Sequence, residues 1–383
     1  MKKKMLGIAL ALTLSCSMLA GCGEAETPSS GGVISSPIIP ETEGETPVVD
    51  DTIVEDVLPE IPELVIPDGY VANELTGLPI AKELENQRPI AVMVDNEVTA
   101  LDHFGINEAD IVFEMMNSTL NGRVTRLMCL VKDWGAIKQF GSVRSARVTN
   151  CILASEWNAI LCHDGGPYPI SDFSDRLNRA DVDHLSGVFS RVDNGKAREF
   201  TEYICPGDLQ KYVGSGKEIS AEYNKYYTGP HFTFVAGDSL SYNKYSKTMD
   251  AKSSIKLPFE HNSSELKYNA TTNKYEYYEY GRAHNDGATG EILSFDNLII
   301  QKADFHEYGE GYLMYYVSSP GNDGYYIVDG KAVPITWNKV TDISKENENT
   351  NFLDADGKPI TLKAGKTYIA IVPSDVWEEL VIK

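Results

Sequence analysis

Hydrophobic and polar positions divide the chain after residue 68 into two parts with different periodicity. In the first part, short apolar runs with polar or turn residues at their ends predict strands at 88–95, 109–115, 124–131 and 159–162. Helical patterns lie at 145–157, where Ser145 is the expected N-cap, and at 171–179, and a short helical turn is expected at 208–213. We therefore expect an α/β domain over residues 69–235.

The second part has mostly period-two patterns. Tyrosine-rich arms at 265–279 flank the turn 270–273 and predict a β-hairpin. Further strands are predicted at 298–303, 312–317, 325–328, 332–337, 361–362 and 367–372, separated by glycine-containing turns. Residues 236–383 should form a mostly β domain, so the chain should be α+β overall.

The N-terminus has the pattern of a secretory signal. Three lysines precede a short apolar segment that ends in Leu19-Ala20-Gly21-Cys22, and this ending resembles the lipobox of bacterial lipoproteins. The resemblance predicts that residues 1–21 are a signal peptide and that Cys22 is acylated, with palmitate among the attached chains. The lipid would then anchor the chain in the bilayer, on the outer face of the cytoplasmic membrane.

A polar segment follows the predicted lipidation site. Residues 23–68 contain no Lys or Arg and are rich in Glu, Asp, Pro, Ser and Thr. Such a composition buries too little apolar surface to offset the loss of conformational entropy on folding. We expect residues 22–68 to comprise the lipidated cysteine and a disordered acidic tether.

Charge and cysteine content exclude some functions. The formal net charge of -22 leaves no basic face for phosphate contacts, so nucleic acid is not an expected partner. Beyond the signal region the cysteines are Cys129, Cys151, Cys162 and Cys205, which lack the short paired spacings of structural zinc sites. Buried free thiols are favoured over disulfides, and no metal or other cofactor is expected.

Three polar clusters follow or precede predicted elements of the first domain. They are Asp95-Asn96, the segment 141–147 and His163-Asp164. Ligands gather at the carboxyl ends of strands in α/β sheets, so these clusters are the candidate site. Arg144 and Arg147 are expected on one face of the first turn of a helix, where a carboxylate or phosphate could bind. The alternative is that they pair with Asp110, Glu114 or Glu156 and only fix the helix to the sheet.

A catalytic interpretation remains open. His163 would act as a base, Asp95 would orient it, and Ser142 or Ser145 would be the nucleophile if the fold brought them within hydrogen-bond reach. The sequence has no nucleophile-elbow, HExxH or phosphate-binding glycine motif. Whether the protein is an enzyme is therefore uncertain.

Several segments in fixed order resemble one family. The N-terminal ones are 74–79 (ELTGLP), RPIAVMVDN, ADIVFE, VTR, GSVRSAR and the His163 loop, and the C-terminal ones are 324–339 and 354–373. Together they look like the YerB-like bacterial lipoproteins. The resemblance implies a two-domain envelope lipoprotein of Gram-positive type with no established reaction. The residues matching the polar motifs of that family are Asp95, Asn96, Arg126, Arg144, Arg147 and His163.

Three functions follow as hypotheses. The first is a cell-envelope binding or scaffolding module that holds a wall-polymer phosphate or a peptide carboxylate with Arg126, Arg144, Arg147, Asn96 and Asp164. The second is a wall-modifying hydrolase or transferase with His163, Asp95 and Ser145 as candidate catalytic residues. The third is a structural protein whose β domain docks a secreted protein partner through an edge strand.

Overall fold

Buried apolar runs form the strands of an extensive mixed sheet. The computed structural model describes residues 64–243, 245–319 and 321–383. The strands in chain order are β1 (Tyr70–Ala72), β2 (Pro79–Ala81), β3 (Ile90–Asp95), β4 (Ile111–Met116), β5 (Thr125–Val131), β6 (Phe140–Gly141), β7 (Ile160–His163), β8 (Asp183–Ser186), β9 (Ser190–Arg191), β10 (Glu202–Ile204), β11 (Thr233–Val235), β12 (Met249–Asp250), β13 (Ser254–Lys256), β14 (Glu265–Asn269), β15 (Lys274–Glu279), β16 (Arg282–Ala283), β17 (Ser294–Phe295), β18 (Asn297–Ala303), β19 (Phe305–Gly309), β20 (Tyr312–Tyr315), β21 (Asn322–Val328), β22 (Lys331–Asn338), β23 (Asn351–Leu353), β24 (Thr361–Lys363), β25 (Thr367–Pro373) and β26 (Val381–Ile382).

Helices are few in the part of the chain that the structure describes. The α-helices are α1 (Val148–Glu156), α2 (Ser171–Leu177) and α3 (Ser239–Asn243), and the remaining helical segments are short 3₁₀ turns. The protein is therefore mostly β. The α/β pattern expected for residues 69–235 appears only in part, because β4 and β5 are antiparallel neighbours joined without a helix.

The largest sheet crosses the expected domain boundary. Its strand order is β12-β22-β21-β18-β25-β4-β5-β3-β7-β8, with β23 added beside β22. The late strand β25 lies between β18 and β4 and is parallel to both. The two halves of the chain thus share one continuous hydrogen-bonded sheet, and residues 64–243, 245–319 and 321–383 all belong to one compact unit.

Both faces of this sheet are covered. On one face, Met93 and Met128 share a buried core with Val148 and Ile152 of α1. On the other face, Val92 belongs to a core that also contains residues of the six-stranded sheet β16-β15-β14-β13-β26, with β17 beside β15. Strands covered on both sides need apolar residues at successive positions, which explains the continuous apolar runs of β3, β4 and β5.

The start of α1 differs from the prediction. Ser145 was expected to cap the helix, but Arg147 occupies the N-cap position and its backbone N–H donates to Asn150 Oδ1 at 2.7 Å. The Arg144 N–H donates to Met93 O and the Ala146 N–H donates to Gly165 O, so residues 144–146 do not join the helix. Arg144 therefore lies before the helix, and the two arginines do not share the face of its first turn.

The predicted Tyr-rich hairpin is confirmed as β14 and β15, paired antiparallel from Glu265↔Tyr278 to Asn269↔Lys274.

Cys129, Cys151 and Cys162 are buried free thiols, and Cys205 is a partly exposed free thiol. Among the described residues, no helix is long and apolar enough to span a membrane. The predicted signal peptide, Cys22 and nearly all of the tether lie outside the described residues.

Candidate functional site

The three polar clusters of the first half lie together at the carboxyl ends of β3 and β7 in the large sheet. β3 and β7 are parallel neighbours, so Asp95 and His163 lie at adjacent strand ends. The segment 141–147 passes beside them: the Arg144 N–H donates to Met93 O at 2.9 Å, and the Asp164 N–H donates to Arg144 O at 3.0 Å. The expectation that these clusters converge is met by this backbone pairing.

An ion pair between Arg144 and Asp95 forms the centre of the site. Arg144 Nε lies 2.5 Å from Oδ2 of the fully buried Asp95, and its Nη2 donates to Glu199 Oε2 at 2.9 Å. Burial alone raises the pKa of Asp95, but the charges of Arg126 and Arg144 outweigh it, so this pKa lies below its ordinary value. The carboxylate is therefore ionised at neutral pH.

Two further guanidinium groups lie deeper. Arg126 Nη1 donates to Asn117 Oδ1 at 3.1 Å and to Ser145 O at 2.8 Å. Arg147 Nε donates to Asn117 O at 3.0 Å, and its Nη1 donates to Ala146 O at 3.0 Å. Only 5% of Arg126 and 8% of Arg147 is exposed. Both side chains are thus held by neutral oxygens in a poorly solvated place.

The buried arginines outnumber their carboxylate partners. Burial lowers the pKa of Arg126 to about 10, and burial together with the charge of Arg126 lowers that of Arg147 to about 9, so both are cationic at neutral pH. Among the described residues, no carboxylate lies within ion-pair distance of Arg147. The carboxylate nearest to Arg126 in an ion pair is that of Asp95, at 4.0 Å. A buried charge without a counter-ion is costly, so this part of the site favours an anion.

The alternative partners expected for the arginines are engaged elsewhere. Glu156 pairs with Lys339 at 3.0 Å. Asp110 accepts hydrogen bonds from Asn73 at 3.0 Å and from the Lys132 backbone at 2.7 Å. Glu114 lies inside the protein among neutral donors. Among the described residues, neither Arg144 nor Arg147 pairs with Asp110, Glu114 or Glu156, so that alternative is wrong.

His163 is held as a structural group. Its Nδ1 contacts Gly165 O at 2.8 Å, and its Nε2 contacts His184 Nδ1 at 3.2 Å. Burial lowers the pKa of His163 to about 4, so the ring is neutral at pH 7. Among the described hydrogen bonds, none joins His163 to Ser145 or Asp95. Ser145 Oγ instead accepts from Arg126 Nη1 at 3.2 Å, so the catalytic triad is not assembled in this structure.

Asp164 belongs to a second ion-pair cluster that the sequence did not predict. Its Oδ2 lies 2.7 Å from Arg191 Nη2, and the same Nη2 contacts Glu202 Oε2. Burial and the adjacent Asp164 carboxyl group raise the pKa of Glu202. Arg191 lies 27 residues from Asp164, and Glu199 lies 55 residues from Arg144. Glu202 lies 11 residues from Arg191. None of the three has a distinctive local motif, so sequence inspection offered no signal for them.

Asn96, which the sequence suggested as a ligand-binding residue, faces the protein interior. It is fully buried, and its Nδ2 donates to Thr125 Oγ1 at 2.9 Å. Beside it, the buried Glu114 carboxylate accepts from Thr125 Oγ1 at 2.8 Å, Asn262 Nδ2 at 2.8 Å, Ser264 Oγ at 2.7 Å and the hydroxyls of Tyr277 and Tyr368. We call these residues the inner polar cluster, which joins the two halves of the chain.

Comparisons with known proteins agree with the fold. Residues 75–226 match the N-terminal domain, and residues 255–369 the C-terminal domain, of the family described as protein of unknown function DUF3048. The chain is 26% identical over 308 residues to YerB of Bacillus subtilis (strain 168), a candidate lipoprotein, covering 78% of this chain and 85% of YerB. It also resembles the crystal structure of the Bacillus subtilis YerB protein with a TM-score of 0.66 at 23% identity, covering 82% of this chain and 99% of that one.

The two family matches follow each other in the same order as the two halves of the chain, and the structural likeness spans both. This chain therefore belongs to the DUF3048 family and is similar to YerB over both halves.

Proposed function

We propose that the chain is a lipoprotein anchored through acylated Cys22 on the outer face of the cytoplasmic membrane of a Gram-positive type of cell. The lipobox-like sequence before Cys22 and the relation to a candidate lipoprotein support this anchoring. The acidic composition of residues 23–68 suits a tether between the bilayer and the folded part.

A labelling experiment tests the anchor. Cells expressing the full chain are given an alkyne-tagged palmitate, and the chain is then isolated and examined for the tag. Cys22→Ala should abolish labelling and release the protein from the membrane fraction, whereas Cys205→Ala should leave both unchanged. Labelling that survives in Cys22→Ala would contradict the proposed anchor.

The folded part would serve as an envelope binding module for an anionic ligand. The observation that carries this proposal is the position of Arg147, a buried cation beside Arg126 with only neutral partners among the described residues. Wall-polymer phosphates and peptide carboxylates are anions available outside the membrane, and guanidinium groups bind both through paired hydrogen bonds.

Retention on isolated cell walls tests this binding. The full chain in detergent should sediment with the walls, and Arg144→Ala combined with Arg147→Ala should weaken retention about tenfold or more, the loss typical of charge-assisted hydrogen bonds. Arg282→Ala is the matched control, since Arg282 is half exposed and pairs with Asp102 at 3.0 Å. Equal retention of the folded double variant and the control would contradict the proposal.

The same samples test the enzymatic alternative. A wall hydrolase or transferase would leave new fragments in the mass spectrum of the digested wall, and the candidate base His163 would be required for them. Because both ring nitrogens of His163 already have partners, we expect the wall to remain unchanged. New fragments that disappear in a folded His163→Gln variant would favour the enzyme.

A further inference from the structure

A narrow pocket lies where the buried arginines meet the second half of the chain. Arg126, Arg147 and Asn117 line it, together with Thr149 at the start of α1, and Leu313 and Tyr315 of β20 close it from the other side. The pocket is too tight to hold a water molecule in this state. Its polar lining comes from the first half, and part of its apolar cover comes from the second.

One of the residues that line this pocket has an unused hydrogen-bond donor. Only 5% of Arg126 is exposed, yet its Nε has no hydrogen-bond partner among the described residues. The first turn of the nine-residue helix α1 follows Arg147 directly, and free N–H groups at a helix start favour negative charge. An oxyanion would satisfy the donors and the charge together.

The cover is a separate two-stranded hairpin. β19 and β20 pair with each other and join no other sheet in the described chain. The Tyr312 ring lies 5.2 Å from the Arg147 guanidinium, and the Tyr315 N–H donates to Thr149 Oγ1 at 2.8 Å. Tyr308 ties the outer strand down by donating to Asp172 Oδ2 at 2.7 Å. Leu313 and Tyr315 of the hairpin are buried in the core, and these polar and ring contacts hold its outer part over the arginines.

We infer that Arg126, Arg147 and the start of α1 form a closed oxyanion pocket, and that the β19–β20 hairpin must lift to admit a carboxylate or phosphate group. This inference rests on the proposed binding function and adds which arginines hold the anion and what controls entry. A tight pocket selects a compact terminal group over the middle of a polymer chain. Both halves of the protein are then needed for binding.

Titration calorimetry of the full chain with inorganic phosphate and with acetate tests the pocket, with chloride as the reference anion. We expect saturable binding of at least one of the two oxyanions. Arg147→Lys keeps the charge but loses the planar fork, so it should weaken the affinity about tenfold or more, while Arg282→Lys should not change it. Saturable phosphate binding alone would indicate a phosphate-type ligand, and acetate binding alone a carboxylate-type ligand.

A second variant keeps the inference testable if Arg147→Lys fails to fold. Tyr308→Phe leaves the pocket lining intact and removes one contact of the hairpin, so stopped-flow association of the bound anion should be faster than in the wild type. Absence of saturable binding, equal affinity in wild type and folded Arg147→Lys, or an unchanged association rate would overturn the inference. Wall retention that persists in such a case would leave the proposed binding function standing without this pocket.

Discussion

The hydroxyl of Tyr277 donates a hydrogen bond to Oε2 of Glu114 at 3.0 Å across 163 residues of sequence. Glu114 belongs to β4 of the first half, and Tyr277 belongs to β15 of the second half. Both side chains are fully buried, so the carboxylate depends on protein donors alone. The two halves of this protein are therefore joined by a buried polar contact as well as by a shared sheet.

Tyr277→Phe should destabilise the protein by about 1–3 kcal/mol, because it leaves the buried Glu114 short of a donor. Chemical denaturation measures this difference. Tyr278→Phe is a matched control, since the neighbouring side chain projects from the opposite face of β15 and is half-buried. The control should stay within about 0.5 kcal/mol of the wild type, and an equal loss in both variants would show that the inner polar cluster does not account for it.

Asp95→Asn should cost about 3–5 kcal/mol at pH 7, because it leaves the Arg126 and Arg144 charges without their buried counter-ion. The pKa of Asp95 is lowered in the folded state, so its stabilising contribution is present above the ordinary pKa of about 4 and is lost as the pH falls below that value. Urea unfolding at pH 7 and pH 3 should show the difference between variant and wild type shrinking in acid.

The control for that experiment is Asp102→Asn, which breaks the half-exposed pair with Arg282. Such a pair contributes at most about 1 kcal/mol. A difference between wild type and Asp95→Asn that is small at pH 7, or that grows in acid, would contradict the assignment of Asp95 as the ionised centre of the arginine site.

Acidification should destabilise the fold through His163. Its pKa is lowered to about 4, so the neutral ring contributes stability above the ordinary value of about 6.5, and this contribution is lost as the pH falls from there towards 4. His163→Gln should therefore flatten the decline in unfolding free energy between pH 7 and pH 4 by about 3 kcal/mol. His306→Gln alters an exposed side chain and should leave the dependence of unfolding free energy on pH unchanged. Identical pH dependence in the wild type, His163→Gln and His306→Gln would contradict this role of His163.

Gly311 at the tip of the β19–β20 hairpin approaches the neighbouring loop closely. A Cβ atom there would lie 2.4 Å from Ser118 Oγ and 2.7 Å from Leu120 Cγ, and the residue has φ of +78°. Gly311→Ala should therefore loosen the hairpin and cost about 1–3 kcal/mol locally. Hydrogen exchange over residues 305–315 reports this loosening.

Gly309→Ala separates the clash from the backbone effect. Gly309 also has a positive φ, of +102°, but an added Cβ would meet nothing within 4 Å. Gly309→Ala should therefore accelerate hydrogen exchange of the hairpin less than Gly311→Ala does. Equal acceleration in the two variants would mean that backbone conformation alone, and not the contact with the loop, governs the hairpin.

Local patterns predicted much of this molecule. The apolar runs of β3, β4, β5 and β7 lie where expected, since burial on both faces leaves a continuous signal in the sequence. The position of β25 between β18 and β4 was not predictable from the same patterns, because strand order depends on pairing between distant segments. The spacing of apolar residues shows which faces of a strand are buried, but it does not show which other strand pairs with it.

The candidate site was likewise predictable only in part. Asp95 and Arg144 meet because the segment 141–147 lies beside the end of β3. The strand-end rule anticipated that these clusters would lie together, but it did not predict this ion pair. The rule could not show that Asn96 turns inward or that Arg191 bridges Asp164 and Glu202. Those outcomes depend on side-chain packing between elements that the sequence alone does not place together.

Retention of the full wild-type chain on cell walls with and without their anionic polymers tests the central claim most directly. If the arginine site binds an anion of the wall, walls that keep the polymers should retain the protein, and removing the polymers or blocking free carboxylates should release it about tenfold or more. Added phosphate or acetate should compete with retention on intact walls. Equal retention on all wall preparations, insensitive to both anions, would contradict the account.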